Sequence, residues 1–235
     1  MTSRVGNLRM TVLAALVLAG AVAAPAAADW WYAVYEGDKH VGYCHVVESS
    51  ATLGNTVVQR FTEVTETHRD KANLFTRKLT VDRYKSGGKT VYYSSTVTEK
   101  GKTKQAKATR TADGFSIVIT KGDKEETVDV PAEEFGIVEA SEMLENLTAP
   151  GGKTEVRAVD LDTGKVHKTK LEYVADQTVD AAGESVEAKV IAAKGGLGDT
   201  TYWFVEDGSL VKWSGKTLLG KLTYKLTTAA EAKPR

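Results

Sequence analysis

Trp30-Trp31-Tyr32-Ala33-Val34-Tyr35-Glu36-Gly37-Asp38-Lys39-His40-Val41-Gly42-Tyr43-Cys44-His45-Val46 is the stretch that decides the fold, because it is strongly aromatic and broken once by a glycine-first turn signal. It reads as a β-hairpin. A two-residue turn at Gly37-Asp38 sets Val34 opposite Val41, Tyr32 opposite Tyr43 and Trp30 opposite His45, which makes that side a core face. The other side carries Trp31, Ala33 and Tyr35 against Cys44, Gly42 and His40. Ala33 and Gly42 leave a notch there, where the ribbon can bend or another backbone approach.

The same grammar continues downstream. Candidate strands at 56–69, 74–84, 90–99, 103–111, 115–121 and 125–130 are rich in β-branched and aromatic residues, and each is closed by a turn containing glycine or asparagine. Phe115, Ile117 and Ile119 share one face, as do Val91, Tyr93, Ser95 and Val97. The sheet is therefore dry on one side and wet on the other. Thr-Lys-Gln-Ala-Lys-Ala-Thr-Arg-Thr at 103–111 has almost no large apolar side chain, so it reads as an edge or solvent-facing strand.

Residues 131–147 break this rhythm. Val138, Met143, Leu144 and Leu147 fall on one stripe at helical spacing and Pro150-Gly151-Gly152 ends it, which predicts a short helix near 138–147 plugging the open side of a curved sheet. Strands resume at 153–161, 165–176, 185–193, 200–206, 209–214 and 221–228. Asp207-Gly208 is the strongest hairpin signal. As a two-residue turn it sets Phe204 opposite Val211, Trp203 opposite Lys212 and Tyr202 opposite Trp213. Strands this long and this numerous do not lie flat, so the fold class is all-β and mainly antiparallel: a strongly curved up-and-down meander or half-barrel of about 12–15 strands.

Arg4 and Arg9, the apolar run 10–24 and Ala26-Ala27-Ala28 have the layout of a signal peptide, so residues 1–28 are expected to be cleaved. Residues 29–228 then form one curved-sheet domain and 229–235 a frayed tail. The expected location is the periplasm, or outside the cell. Without residues 1–28 the chain keeps 29 basic and 31 acidic residues, a balance that gives no footprint for nucleic acid. The lone Cys44 forms no internal disulfide.

Catalytic chemistry finds little support. Gly183-Glu184-Ser185-Val186-Glu187 lacks the second glycine of a nucleophile elbow, and Gly195-Gly196-Leu197-Gly198 is followed by no helical pattern. His40, His68 and Cys44 are the weak candidates for a metal or thiol site. A turn centred on Gly54 brings His40 opposite His68, but no ligand spacing completes a set. The expectation is a protein that is not an enzyme and needs no cofactor.

What remains is binding. A curved sheet encloses an apolar concavity suited to a hydrophobic or lipid-like ligand, with Trp30, Tyr32, Tyr43, Tyr93, Tyr202, Phe204 and Trp213 as its lining. The same aromatics equally suit a filled interior. Alternatively, Trp31 and Tyr35 flanking Gly42 form a face for another envelope protein.

The segments at 32–43, 135–147, 182–188 (Ala-Gly-Glu-Ser-Val-Glu-Ala) and 202–212 (Tyr-Trp-Phe-Val-Glu-Asp-Gly-Ser-Leu-Val-Lys) resemble an uncharacterised family of exported bacterial proteins, generally described as domains of unknown function. The resemblance implies a strongly curved antiparallel sheet, similar in architecture to the lipoprotein-localisation carriers. It implies no catalytic residues.

Overall fold

A computed structural model describes residues 28–68, 74–84, 89–132, 147–195, 198–217 and 220–234. They form fourteen antiparallel strands: β1 (Ala28–Glu36), β2 (Lys39–Leu53), β3 (Thr56–His68), β4 (Leu74–Tyr84), β5 (Thr90–Glu99), β6 (Lys102–Thr111), β7 (Gly114–Lys121), β8 (Lys124–Pro131), β9 (Lys153–Asp160), β10 (Lys165–Ala181), β11 (Glu184–Gly195), β12 (Thr200–Phe204), β13 (Leu210–Thr217) and β14 (Gly220–Thr227). One sheet holds them all, in the order β8-β7-β6-β5-β4-β3-β2-β1-β14-β13-β12-β11-β10-β9. Two meanders are thus joined along the β1–β14 pair, and the edges are β8 and β9. Among the described residues, no helix is long and apolar enough to cross a membrane.

The sheet curls until its edges approach, giving a nearly closed barrel. Val159 and Leu161, at the end of β9, pack in one cluster with Phe61, Leu79, Val81, Ile117 and Val130 of the opposite meander. Gly164 lies so near β8 that an added Cβ would sit 2.7 Å from Val128 Cγ1. Side chains, not a backbone ladder, bridge β8 and β9 among the described residues.

Period-two patterning accounts for this. Phe115, Ile117 and Ile119 of β7 are buried with half-buried or exposed residues between them, and Leu222 and Tyr224 repeat the pattern in β14. The strand expected at an edge is corrected: β6 is paired on both sides, to β5 and to β7. Ala106 and Ala108 are its buried residues, and Lys107 between them is exposed. Small side chains there leave room for what faces them across the barrel. The actual edge strand β8 reads Lys-Glu-Glu-Thr-Val-Asp-Val-Pro, charged and ended by a proline, which discourages pairing with other chains.

The first hairpin turns at Gly37-Asp38, but a β-bulge between Val34 and Tyr35 shifts the register by one residue. Val34 therefore pairs with Gly42, Tyr32 with Cys44 and Trp30 with Val46, not with Val41, Tyr43 and His45. A bulge sends the residues beyond it to the opposite face. The second hairpin also departs from expectation. Val205 N–H donates to Ser209 O at 2.9 Å and Gly208, at φ 83°, donates to Val205 O at 2.9 Å, a wider loop than the two-residue turn. Tyr202–Trp213 and Trp203–Lys212 pair as expected, whereas Phe204 pairs with Leu210 instead of Val211.

The helix expected near 138–147 lies outside the described residues except for Leu147, which is fully buried in the core of the second meander. The tail expected to fray instead forms a short helix, α1 (Ala229–Ala232). Thr227 and Thr228 hydroxyls donate to Glu231 Oε2 at 2.8 and 3.1 Å, and Ala232 is completely buried. These contacts hold the segment down.

Candidate functional site: the two interiors of the barrel

The second meander, with β1, has an aromatic interior. Trp213 stacks on Tyr224 with centroids 4.2 Å apart and meets Tyr32 edge-on at 4.7 Å, while Tyr202 and Phe204 lie 6.0 Å apart. Leu171, Tyr173, Ile191 and Leu222 fill between them. The Tyr32 hydroxyl, deep in this cluster, is satisfied, because it donates to Leu210 O at 2.9 Å. Burial pushes the hydroxyls of Tyr32 and Tyr202 well above the ordinary phenol value.

Of the seven aromatics expected to line a cavity, Tyr32, Tyr202, Phe204 and Trp213 belong to this cluster and Trp30 packs half-buried against it. Tyr93 lies in the other meander. Tyr43 is corrected to the outer face by the bulge, whose extra residue is Val41 of β2: it sits 5.8 Å from Trp31, and its O–H donates to Glu66 at 3.4 Å.

The outer face gathers Trp31, stacked on His45 at 3.9 Å, and Tyr35, stacked on His40 at 5.0 Å. Lys233 Nζ lies 5.4 Å from the Trp31 ring and Lys225 Nζ 4.8 Å from that of Tyr35. Gly42 is not exposed between these rings. It is buried against β3, where an added Cβ would lie 1.9 Å from the Glu66 carbonyl oxygen.

His40, His68 and Cys44 are not brought together. His40 Nε2 lies 3.0 Å from both Gly42 O and Ala232 O, tying β2 to α1. His68 bonds to Glu66 at the surface, and Cys44 is buried among the core residues of the inner face. Burial first, then the neighbouring Glu63 charge, pushes the Cys44 thiol up, so it is held as the unreactive thiol. Among the described residues no group of three His, Cys, Asp or Glu could hold a metal ion.

The first meander holds a constellation that sequence reasoning missed. Arg77 of β4 is buried, with Nη1 3.6 Å from Glu63 Oε1 and Nη2 4.0 Å from Asp162 Oδ2. Its Nη2 also donates to Tyr93 O–H at 3.4 Å, while Nε has no hydrogen-bond partner. Thr65 O–H donates to Glu63 at 2.9 Å. Asp162, in the β9–β10 turn, accepts from Tyr93 O–H at 2.9 Å and from Ser95 O–H, and its carbonyl accepts from Lys104 Nζ at 2.6 Å. Desolvation alone would push the guanidinium down. The Glu63, Tyr93 and Asp162 groups together outweigh it and push it up, so Arg77 stays charged. Desolvation lowers the Lys104 ammonium, against the pull of Asp162 and Asp160.

One signal could have found this cluster. On β4 the buried parity runs Phe75, Arg77, Leu79, Val81, and on β3 it includes Phe61, Glu63 and Thr65. Opposite charges at core positions of adjacent strands point to a buried ion pair. Asp162 carried no such mark, because its contacts come from strands far away in sequence.

No family model matches the chain, and no curated protein matches it. Among solved structures it is similar to a β-barrel-like protein of domain of unknown function DUF1849 from Brucella abortus, with a TM-score of 0.57 and 11% identity over 85% of this chain and 95% of that one. The likeness is one of fold: both chains build a curved, barrel-like β-sheet, as the resemblance to an uncharacterised family implies.

Proposed function

We propose that the protein is an exported binding protein of the cell envelope that acts without chemistry and holds a hydrophobic or lipid-like ligand against the inner face of its sheet. One observation carries this reading: a fourteen-stranded sheet curls on itself with a largely apolar inner face, yet among the described residues its edges β8 and β9 are bridged by side chains alone. Such a seam can part without breaking a backbone ladder. Parting it gives an acyl chain access to surface that is otherwise buried. The signal-like character of residues 1–28 supports export.

Freshly purified protein, extracted with organic solvent and weighed by native mass spectrometry, is expected to release a lipid. Protein that is empty in repeated preparations, and that does not enhance the fluorescence of an apolar dye, rules the reading out. The outer row of Trp31, His45, Tyr43 and Lys233 favours a second reading, docking on an envelope protein. Capture of a stoichiometric partner that is lost on Tyr35→Glu would favour this second reading over the first.

A further inference from the structure

The turn at 160–164 is shaped by Asp160, not by Asp162. Asp160 Oδ1 accepts from the Asp162 N–H at 2.9 Å and Oδ2 from the Thr163 hydroxyl at 2.7 Å, while its carbonyl accepts from the Thr163 and Gly164 N–H groups at 3.0 and 2.7 Å. A side chain bonding its own backbone in this way specifies a turn without outside help. The Asp162 carboxylate is therefore free to serve another purpose, and among the described residues its side-chain partners all belong to the opposite meander.

Those partners come from neighbouring strands: Arg77 on β4, and Tyr93 and Ser95 on β5. Lys104 on β6 holds the adjoining carbonyl. Two hydroxyl donors and two cationic groups converge on one acidic residue, and among the described residues the only other acid paired with Arg77 is Glu63. Without the Asp162 side chain Arg77 would keep Glu63 at 3.6 Å, Lys104 would keep Asp160, the Tyr93 and Ser95 hydroxyls would lose their acceptor, and the buried Arg77 Nε would still be unpartnered. Charge-assisted donors in so dry a place favour a replacement anion strongly. The surrounding wall is apolar, with Phe61, Leu79, Val81 and Ile117 in the same cluster as the turn's own Leu161.

We propose that Arg77, Tyr93, Ser95 and Lys104 form a head-group site for an apolar ligand that ends in a carboxylate, and that Asp162 occupies this site in cis as a latch which the ligand displaces. The proposal rests on the lipid-binding reading and deepens it by naming the head group. Displacement exchanges one carboxylate for another and withdraws the 160–164 turn, which loosens the β8–β9 seam at the same step.

Hexadecanoate and hexadecanol, titrated against an apolar dye, separate the head group from the chain. Asp162→Ala is expected to bind hexadecanoate at least tenfold more tightly than the unaltered protein, with hexadecanol affinity unchanged. Asp162→Asn, which keeps the volume, is expected to move the same way. Adding Ser95→Ala to Asp162→Ala should reduce the gain severalfold. Dye binding with no preference for hexadecanoate in the Asp162 variants overturns the proposal.

If neither protein binds dye, hexadecanoate or hexadecanol, the lipid-binding reading fails and a second measurement decides the head-group site on its own. Sodium acetate should raise the melting temperature of Asp162→Ala by several degrees more than sodium chloride or acetamide does, and should not do so for the unaltered protein. No such acetate-specific rise means that the cluster is merely a structural tie.

Discussion

The two meanders use one strand grammar but fill their interiors in opposite ways. Around β10–β14 and β1, rings stack on rings and the deep Tyr32 hydroxyl has a backbone partner. Around β3–β6, a buried arginine is shared among two carboxylates at 3.6 and 4.0 Å, and one of its nitrogens is left unpaired. An aromatic interior is held by area and tolerates no void, whereas a polar one is held by charge balance and depends on every member. The aromatic half is thus the rigid part. The polar half is where a partner can be exchanged.

Trp213→Ala should break the comparison on the rigid side. It removes the stack on Tyr224 and the edge contact to Tyr32, and a loss of about 3–5 kcal/mol is expected in urea denaturation. Arg77→Met tests the other side. It strands Glu63 as a buried charge and takes the cation from the half-buried Asp162, and should cost about 3–5 kcal/mol, part of which returns when Glu63→Gln is added. Coupling of that kind is not expected between Trp213 and its neighbours beyond ordinary packing. Equal single and double losses at Arg77 and Glu63 would show that the two halves do not differ in this respect.

Tyrosine titration sharpens the contrast with less effort. Burial above all pushes Tyr32, Tyr93 and Tyr202 above their ordinary value, so they stay protonated in the fold while the unfolded chain ionises near pH 10. Their contribution to stability is complete below that pH and is lost as the pH rises beyond it. Tyrosinate absorbance at 295 nm should therefore show early titration of exposed rings, followed by a cooperative step with unfolding. One smooth transition for all nine tyrosines would mean that both interiors are wet.

Lys233→Ala gives the smallest effect. Its cation–π contacts with Trp31 and Tyr43 are exposed, so about 0.5–1 kcal/mol is expected, with neither interior disturbed. A larger loss in thermal melts would show that α1 helps to hold β1 and β2 together.

Much of this was legible from alternation. The all-β class, the strand count and the aromatic cluster at Tyr202, Phe204 and Trp213 follow from period-two patterning and glycine turns. What alternation does not encode is where it slips. The bulge at Val34/Tyr35 moved Tyr43 to the outer face, and the wider loop at 206–208 moved Val211 away from Phe204, although both turns were correctly located. Bulges are set by how the sheet must bend, which is a property of the whole barrel. β6 was misplaced at an edge because its alanines look weakly apolar. Their smallness fits a strand that faces the inserted 160–164 turn. The Arg77 cluster was half visible, in charges at core positions, and half invisible, in an aspartate delivered from the far edge of the sheet.

The β1–β14 pair has a consequence for how the molecule comes to exist. Every other ladder joins strands adjacent in sequence and can form locally, hairpin by hairpin, whereas Trp31 must find Thr227 across nearly the whole chain. Loop closure over that span comes late and slows folding. Until then β1 waits as an open edge bearing Trp30, Trp31, Tyr32 and Tyr35, a template on which a second copy can pair. The step most exposed to misassembly is therefore the joining of two finished arms, and a chain that loses β14 should aggregate through β1 before it loses its hairpins.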